Sequence, residues 1–556
     1  MTTHPNDTAT NPNDTATNPA DSAIDPTGPA TPASLAAPVV ELGLLGGFLT
    51  QVRDRPHATA LVFNGAETTY RELYELAGEE RDRLARLRLA PGVPVGVLAD
   101  KSPAAVALVL GCLLARRPML LPSPALADTL LADLFAQAGC AHVLAPGGEP
   151  ARVAPNPDVA AQPLPAEEAA EVAFMLTTSG STSLPKIVPL GLDAVDRFTR
   201  WAGNAFDIGP DRTVLNYAPL NFDLCLLDVW TTLARGGRVV LVDPARAAHG
   251  RHLSDLVRRH EVHVVQAVPM AFGLLLDAAA KTGDIFPGVE QVMFTGDAIP
   301  DRTFAALPAL FPKARIHNIY GCTETNDSFI HEVETGETAA TSFPPVPIGR
   351  PLPGVGALVI DPDTDTLVRG PGSGELFVST PFQTRGYLDR TRHADKFTGH
   401  PLGLDDRRWF RTGDLVRRDA AGTLHLTGRT DFQVKVRGVA VNTAEIERVL
   451  QEHPGVLEAG VAALPDPIAG RRLVAAVQRA PGSALTGLQL RTHCARHLPR
   501  AAVPHQLTLT DALLPKTATG KIDRKALDRL DQPTSPAAES SAATSAATPL
   551  AEGIPS

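Results

Sequence analysis

The sequence predicts an α/β protein with a large N-terminal domain of layered, parallel-rich sheets and helices, followed by a small, mobile α+β domain. Short apolar runs typical of buried strands alternate with helical segments, which indicates parallel sheets covered by helices. Near residue 427 this alternation changes to a turn, a short strand and a helix. The sequence therefore predicts four regions: a tail over 1–38, a large domain over 39–427, a small domain over 428–531 and a tail over 532–556.

The predicted elements follow from the spacing of apolar residues. Residues 70–87 predict a helix with Leu73, Leu76 and Ala77 on its buried face. An apolar run of about twelve residues over 104–115 is too short to span a bilayer and predicts a buried helix. The remaining predictions are buried strands at 93–98, 238–242, 262–267 and 289–294, then a strand at 432–437 and a helix at 443–453 in the small domain.

The two ends of the chain are low in complexity. PNDTATN occurs twice over residues 5–18, and a Ser/Ala/Thr/Pro-rich stretch begins at residue 532. Such residues bury too little apolar surface to offset the entropy lost on ordering. We expect both ends to be disordered tails.

Composition excludes several classes of function. The 556-residue chain has a net charge of −10 and 5% aromatic residues, which disfavours a nucleic-acid or anionic-membrane surface. Its five cysteines form no CxxC pair, as expected of reduced thiols. The first 50 residues contain no Lys or Arg, so no secretory signal is predicted. We expect a cytoplasmic protein without a nucleic-acid or membrane partner.

A strand followed by small hydroxyl residues and a lysine, FMLTTSGSTSLPK over 174–186, is the strongest single motif. Small residues allow backbone N–H groups to approach an anion, and a lysine adds a point charge suited to phosphate. The alternative is an ordinary Ser/Thr-rich surface loop. A Walker A loop is excluded because its GxxxxGK[ST] spacing is absent.

TTSGSTSLPK resembles the phosphate-binding signature of the adenylate-forming superfamily, which includes acyl-CoA synthetases, peptide-synthetase adenylation domains and luciferases. The resemblance covers about residues 40–530. Further motifs agree in order, at 69–73, 221–225, 318–324, 374–376 with 385–388, 411–415, 428–438 and 514–524. Two positions depart from the family, since Ser183 and Ile187 stand where it usually or often has glycine. A positive φ at Ser183 would cost about 1–2 kcal/mol, which concerns the rate of reaction more than its existence.

The resemblance implies that a carboxylate attacks MgATP to give acyl-AMP and pyrophosphate, before the acyl group passes to a thiol. Such chemistry depends on positioning and charge neutralisation. Lys521, Thr323, Glu324 and Lys186 are the implied catalytic residues, with Glu324 as the ligand of Mg²⁺. The implied ATP-binding residues are Thr178, Ser179, Gly180, Ser181, Thr182, Lys186, Gly296, Asp297, Asn318, Tyr320, Gly321, Thr323, Asp414, Arg429, Lys435 and Lys521.

Individual residues of this set also have simpler interpretations. Asp414, implied to bind the ribose hydroxyls, would on its own be a turn residue. Tyr320, implied to stack on adenine, would on its own be a core residue. Lys521, implied to bridge the substrate carboxylate and the α-phosphate, would otherwise be a surface lysine. Asp431 resembles the family's hinge, about which the small domain rotates between the two half-reactions.

Asp223 carries the prediction about the substrate. Members of the family that activate amino acids have an aspartate here that pairs with the substrate ammonium, and a carboxylate beside an apolar run needs such a cation. The alternative is that Asp223 caps the following helix. The implied pocket residues are Asp223, Leu224, Leu227, Ala267, Met293, Thr295, Ile319, Asp327 and Ser328. Most are apolar and predict a moderately sized apolar side chain, while Asp327 either lines the pocket or faces solvent.

The run over 222–230 also resembles stand-alone β-amino-acid ligases and D-alanine carrier ligases, so the position of the amine stays open, with β slightly favoured. No carrier or condensation domain is expected within the chain. The expected partner is a separate carrier protein with a phosphopantetheine arm. The carrier protein would dock on a face of this chain that the arginines of the small domain form. The alternative is that these arginines form an ordinary solvated surface. Two other functions stay open: an acyl-CoA synthetase for a carboxylic acid without an amine, and a degenerate nucleotide-binding module.

Overall fold

The computed structural model describes residues 43–154, 156–178, 184–297, 299, 301–333, 346–362, 364–392, 396–430, 433–437, 439–466, 470–512, 514–515, 522 and 527. The chain divides into one unit over Met1–Glu41, which lies outside the described residues, and one over Leu42–Ser556, which holds every element given below.

The helices of the described residues are α1 Leu44–Asp54, α2 Tyr70–Arg86, α3 Pro103–Leu114, α4 Asp128–Gln137, α5 Ala166–Ala170, α6 Leu192–Ala205, α7 Thr232–Arg235, α8 Gly250–Arg259, α9 Pro269–Thr282, α10 Asp301–Leu310, α11 Thr443–Gln451 and α12 Gly487–His497. A π-helical turn over Leu226–Thr231 leads directly into α7. Short 3₁₀ turns lie at Pro244–Arg246, Arg390–Arg392 and Arg500–Ala502.

The strands of the described residues are β1 Thr59–Phe63, β2 Ala66–Thr69, β3 Val95–Val97, β4 Met119–Leu120, β5 His142–Leu144, β6 Ala151–Arg152, β7 Val172–Thr178, β8 Lys186–Gly191, β9 Thr213–Asn216, β10 Arg238–Leu241, β11 Val264–Ala267, β12 Gln291–Thr295, β13 Arg315–Cys322, β14 Asn326–Glu332, β15 Arg350–Pro351, β16 Gly356–Asp361, β17 Thr366–Leu367, β18 Gly372–Ser379, β19 Phe397–Thr398, β20 Trp409–Arg418, β21 Leu424–Arg429, β22 Gln433–Val436, β23 Val439–Asn442, β24 Val456–Asp466, β25 Gly470–Arg479 and β26 Gln506–Thr510.

Two sheets with parallel centres form the first part of the fold. One has the strand order β15-β14-β13-β12-β11-β9-β10-β1-β2, and its strands from β13 to β1 run parallel. The other has the order β6-β5-β3-β4-β7-β8 and ends in the antiparallel hairpin β7–β8. The central strands are buried along their whole length, as β11 and β12 illustrate, because both faces of a parallel sheet are covered.

An antiparallel sheet follows, with the order β17-β16-β18-β20-β19 and with β21 paired to β20. The last part contains the hairpin β22–β23 and a three-stranded sheet, β24-β25-β26, against which α11 and α12 lie. Its buried residues, including Val461, Leu473 and Leu490, form a hydrophobic cluster of their own. The architecture is the predicted one: a large part of layered α/β sheets and a smaller α+β part.

Local signals in the sequence explain where key helices begin. Thr69 and Glu72 form a reciprocal capping box at the start of α2. Ser102 caps α3, and Pro103 occupies the first helical position, where its missing N–H costs nothing. The helix predicted over 104–115 is α3, and it is buried on all sides. Among the described residues, no helix combines the length and apolar character needed to cross a bilayer.

The predicted strands at 93–98, 238–242, 262–267 and 289–294 correspond to β3, β10, β11 and β12, each within two residues at either end. One detail of the helix prediction over 70–87 is wrong. Leu73 and Ala77 are buried, but Leu76 is 38% exposed. The buried face of α2 is centred on Tyr70, Leu73, Ala77 and Leu84, and Leu76 lies at its edge. The predicted domain boundaries stay predictions.

Candidate functional site

The hairpin β7–β8 carries the two ends of the predicted phosphate loop. Thr178 and Lys186 face each other as the last register pair of the hairpin. The Thr178 hydroxyl oxygen is buried and has no hydrogen-bond partner within the described part of the chain. Ser179, Gly180, Ser181, Thr182 and Ser183 lie outside the described residues. The described ends of the loop therefore present one buried hydroxyl and one cation at the same place.

Tyr387 connects Lys186 to Glu324. The Lys186 ammonium lies 4.6 Å from the centre of the Tyr387 ring and 3.4 Å from its hydroxyl oxygen. That hydroxyl donates a hydrogen bond to Glu324 Oε1 at 2.7 Å. Burial and the charge of Glu324 raise the pKa of Tyr387 well above its usual range, so the phenol stays a donor. Backbone contacts hold the arrangement, with Leu388 N donating to Ile187 O at 2.9 Å and Thr384 N donating to Glu324 O at 2.9 Å.

A second group of predicted residues meets where β13 approaches β20 and β21. The Tyr320 hydroxyl donates to Asp414 Oδ2 at 2.5 Å, and the Arg429 guanidinium binds the other carboxylate oxygen. Asp414 and Arg429 are register partners on β20 and β21. Burial, followed by the charge of Asp414, raises the pKa of Tyr320 well above its usual range. Asp414 lies within a strand and not in a turn, so the turn interpretation is wrong.

The backbone around Tyr320 restricts which residues fit on β13 and after β12. Gly296 follows β12 with φ at 85°, a conformation that favours glycine, and Asp297 comes next. A Cβ at Gly321 would lie 2.3 Å from the carbonyl oxygen of Asn326, so no side chain fits there. Asn318 is buried, and its amide donates to the carbonyl of Pro347 at 2.8 Å. Asn318 and Gly321 lie on β13 together with Tyr320, and Gly296 follows the neighbouring strand β12.

Asp223 lies close to Thr323 and Glu324. The Thr323 hydroxyl lies near enough to the Asp223 carboxylate to favour its charged form. Burial raises the pKa of Asp223, while the Thr323 hydroxyl and the charge of Lys435 act in the opposite direction. The π-helical turn after this segment begins with Cys225 in the cap position and has no side-chain cap bond. The alternative in which Asp223 caps the following helix is therefore not supported.

The other predicted pocket residues lie at the carboxyl ends of β11, β12 and β13 or next to them. Leu227, Ala267, Met293, Thr295, Ile319 and Ser328 are buried, and Leu224 is half-buried. Asp327, the residue with two interpretations, is also half-buried. Burial and then the charge of Asp223 raise its pKa to about 8, so the two carboxylates lie near each other. Asp327 thus belongs to the same environment as Asp223.

The remaining predicted residues are only partly covered by the structure. Lys435 lies on β22, the strand predicted over 432–437. Lys521, implied as catalytic, and Asp431, implied as the hinge, lie outside the described residues. Sequence reasoning missed Tyr387, although it lies within the motif at 385–388. Its role depends on contacts with residues 201 and 63 positions away along the chain, which no local pattern reveals.

The donor set fits Mg²⁺ bound together with nucleotide phosphates. Among the described residues, no group of three or more His, Cys, Asp or Glu side chains is arranged to hold a metal. Magnesium commonly takes one or two protein carboxylates and completes its shell with water and phosphate oxygens. The buried Glu324 carboxylate suits that arrangement, as does the Thr178 hydroxyl, which has no hydrogen-bond partner among the described residues.

The layered sheets, the small C-terminal part and the two groups of residues around Tyr387 and Tyr320 fit an adenylate-forming enzyme. Residues 48–388 match the family of AMP-binding enzymes, and residues 445–521 match the AMP-binding enzyme C-terminal domain. The chain belongs to this family and is an ATP-dependent, AMP-forming ligase.

Several characterised proteins are similar to the chain. An L-proline–(L-prolyl-carrier protein) ligase of Streptomyces coelicolor is 38% identical over 381 residues, which cover 67% of this chain and 69% of that protein. The phosphinothricin tripeptide synthetase PhsC of Streptomyces viridochromogenes is 33% identical over 495 residues, which cover 85% of this chain and 44% of the synthetase. The chain thus spans most of the first relative and less than half of the second.

Solved structures agree on the fold. The crystal structure of IdnL1 has a TM-score of 0.70 and 28% identity, and covers 86% of this chain and 99% of its own. The adenylation domain AlmE of Vibrio cholerae, solved with glycyl-adenosine-5′-phosphate, has a TM-score of 0.73, with 91% of this chain and 99% of its own covered. At 20% identity, AlmE supports the fold alone.

Proposed function

We propose that the enzyme activates an amino acid as aminoacyl-AMP, releases pyrophosphate, and transfers the aminoacyl group to the phosphopantetheine thiol of a separate carrier protein. The observation that carries the proposal is the half-buried Asp223 carboxylate beside Thr323 and Glu324. Burial raises the pKa of Asp223, so the anion is destabilised there, and a substrate ammonium would offset that cost. The similarity to a ligase named for an L-prolyl-carrier protein supports the same substrate class and acceptor.

In this proposal, different residues bind different parts of the nucleotide. Thr178 and Lys186 bind the departing phosphates, with Ser179, Gly180, Ser181 and Thr182. Glu324, oriented by Tyr387, ligates Mg²⁺, which neutralises phosphate charge when bound. Asp414 accepts hydrogen bonds from the ribose hydroxyls and is itself oriented by Arg429.

A second set of residues binds the adenine and the reacting carboxylate. Gly296, Asp297 and Asn318 line the base, against which Tyr320 stacks. Gly321 leaves room for the nucleotide, and Thr323 contacts the α-phosphate. Lys521 bridges the α-phosphate and the substrate carboxylate, which lowers the repulsion between two anions as they meet.

The pocket supports an amino acid with a largely apolar side chain. Leu227, Met293 and Ile319 are buried apolar side chains, while the carboxyls of Asp223 and Asp327 lie near each other. A β-amino acid is the narrower form of the proposal, and it rests on the resemblance of residues 222–230. Asp431 serves as the hinge between the half-reactions, and the arginines of the small domain form the docking face for an acidic carrier.

The proposal is tested by ATP–pyrophosphate exchange with a panel of α- and β-amino acids and their des-amino analogues, for the wild type and Asp223→Ala. We expect the wild type to prefer amino acids, and the variant to lose that preference by about tenfold or more. Equal exchange with des-amino acids, together with CoA thioester formation, would favour an acyl-CoA synthetase. Failure of every carboxylate would favour a nucleotide-binding module.

A further inference from the structure

A buried polar network contacts the segment that carries Asp223. Its centre is Asp228 in the π-helical turn, which is fully buried. Each carboxylate oxygen accepts one amide hydrogen bond: Oδ2 from Asn216 Nδ2 at 3.1 Å, and Oδ1 from Gln266 Nε2 at 2.8 Å. A buried carboxylate is tolerated only when such donors and a compensating charge surround it.

Gln266 also holds the backbone next to Asp223. The same amide nitrogen that binds Asp228 donates to the carbonyl oxygen of Leu224 at 3.0 Å, so both of its hydrogens are used. Gln266 and Asn216 are register partners on the parallel strands β11 and β9. The amides at two adjacent strand ends therefore fix the turn on both sides of Cys225.

Lys101 brings a cation close to this network from another sheet, although burial raises the pKa of Asp228 well above its usual range. It follows β3 and precedes α3, and it is 5% exposed. Its ammonium donates to the carbonyls of Asn216, Tyr217 and Ala218 at 3.0, 3.1 and 3.1 Å, which uses all three of its hydrogens. Lys101 thus ties the end of β9 to the second sheet, close enough to act on the charge of Asp228.

The π-helical turn is the second unusual feature of this segment. Single π-helical turns are rare and occur mostly at functional sites, because the extra residue in the turn redirects the side chains around it. Here the turn bears Leu227, one of the predicted pocket residues, and Asp228, the centre of the network. A network that fixes the turn therefore also fixes the backbone that carries predicted pocket residues.

We propose that Gln266, Asp228 and Lys101 are positioning residues for the amino-acid pocket, which hold the turn bearing Asp223 so that its carboxylate faces the substrate ammonium. This inference rests on the proposed function. None of the three side chains contacts the substrate in this proposal. They act through the backbone of residues 223–228 and through the strand ends.

The test uses Gln266→Met, which preserves the length of the side chain and removes both hydrogen bonds. We expect the KM for the amino acid to rise by about tenfold, and the preference for amino over des-amino acids to fall by a similar factor. The KM for ATP and the activity with des-amino acids should stay within about twofold. A loss of folded protein alone would lower all rates together, so the selectivity ratio separates positioning from stability.

Gln291→Met is the matched control. Gln291 is a buried glutamine on β12 of the same sheet, hydrogen-bonded to His317 at 3.1 Å. We expect its substitution to leave the selectivity unchanged. Asp228→Asn, which replaces one acceptor by a donor, provides the decisive measurement if Gln266→Met does not fold, and the same loss of selectivity is expected.

Two negative results are distinguishable. A wild type that does not prefer amino acids overturns the proposed function, and this inference with it. A wild-type preference that Asp223→Ala abolishes but that survives Gln266→Met and Asp228→Asn overturns the positioning role alone. An equal loss of selectivity in Gln291→Met also overturns it.

Discussion

The ammonium nitrogen of Lys186 lies 4.6 Å from the centre of the Tyr387 ring, so a phenol separates this cation from the carboxylate of Glu324. Contact with the ring stabilises the ammonium by about 0.5–2 kcal/mol, depending on how far it is desolvated. The hydroxyl fixes one oxygen of Glu324 at the same time. Tyr387 therefore contacts both the cation that we propose binds phosphate and the carboxylate that we propose binds Mg²⁺.

Tyr387→Phe should separate the contact of the ring from those of the hydroxyl, because it keeps the ring beside Lys186 and removes the hydroxyl that accepts from Lys186 and donates to Glu324. A hydrogen bond to a charged group is worth about 1.5–3 kcal/mol, so we expect ATP–pyrophosphate exchange to fall by about tenfold or more. The Mg²⁺ concentration for half-maximal exchange should rise. Tyr74→Phe on α2 is the control, and an unchanged Mg²⁺ titration of Tyr387→Phe would contradict this orientation of Glu324.

Asp414 should determine recognition of the ribose. Its carboxylate is held by Tyr320 and Arg429, which leaves little freedom to adapt to another sugar. We expect Asp414→Ala to raise the KM for ATP by about tenfold or more, and to abolish the wild-type preference for ATP over 2′- and 3′-deoxy-ATP. The measurement is exchange with each nucleotide. A variant that still discriminates between them would place the ribose elsewhere.

Much of the fold could be predicted because its signals are local. The strands β11 and β12 are short and mostly apolar, and Thr69 and Glu72 mark the start of α2. The order of the strands is not local. Nothing near residue 101 indicates that its lysine reaches from β3 to the end of β9, because that contact joins two sheets across 115 residues of sequence.

The site could be predicted only where a motif carried it. Asp414 and Arg429 lie in separate motifs that both imply ATP binding, and the structure makes them register partners. Asp327 illustrates what the sequence left open, since its interpretation depended on whether its side chain meets Asp223. The π-helical turn at Leu226–Thr231 was not predicted, because its residues fit an ordinary α-helix equally well.

Lys521 should act in the first half-reaction alone. We expect Lys521→Ala to lose most ATP–pyrophosphate exchange, by about a hundredfold or more, because the bridge between carboxylate and α-phosphate is lost. Transfer from a preformed aminoacyl-AMP to the thiol should stay largely intact. Lys525→Ala, four residues away, is the control. Unchanged exchange in Lys521→Ala would refute the assignment.

The pair of Asp223 and Asp327 predicts a pH dependence of stability. Because the pKa of Asp327 is raised to about 8, its carboxyl is protonated in the folded state and ionised in the unfolded state between about pH 4 and 8. The folded state then binds more protons, so this group makes the free energy of unfolding fall as pH rises through that range, by at most about 1.4 kcal/mol per pH unit. Above about pH 8 the contribution is constant.

Asp327→Asn should remove this slope. We expect the urea midpoint of the variant to rise relative to the wild type between about pH 5 and 8, since the amide has no proton to lose. The exposed Asp406→Asn is the control and should run parallel to the wild type. Asp223→Ala should weaken the slope without abolishing it, because burial is the larger cause of the raised pKa and the charge of Asp223 the smaller. Parallel curves for Asp327→Asn and the wild type would show that the pKa of Asp327 is not raised in the folded protein, and an unchanged slope in Asp223→Ala would show that the two carboxylates do not interact.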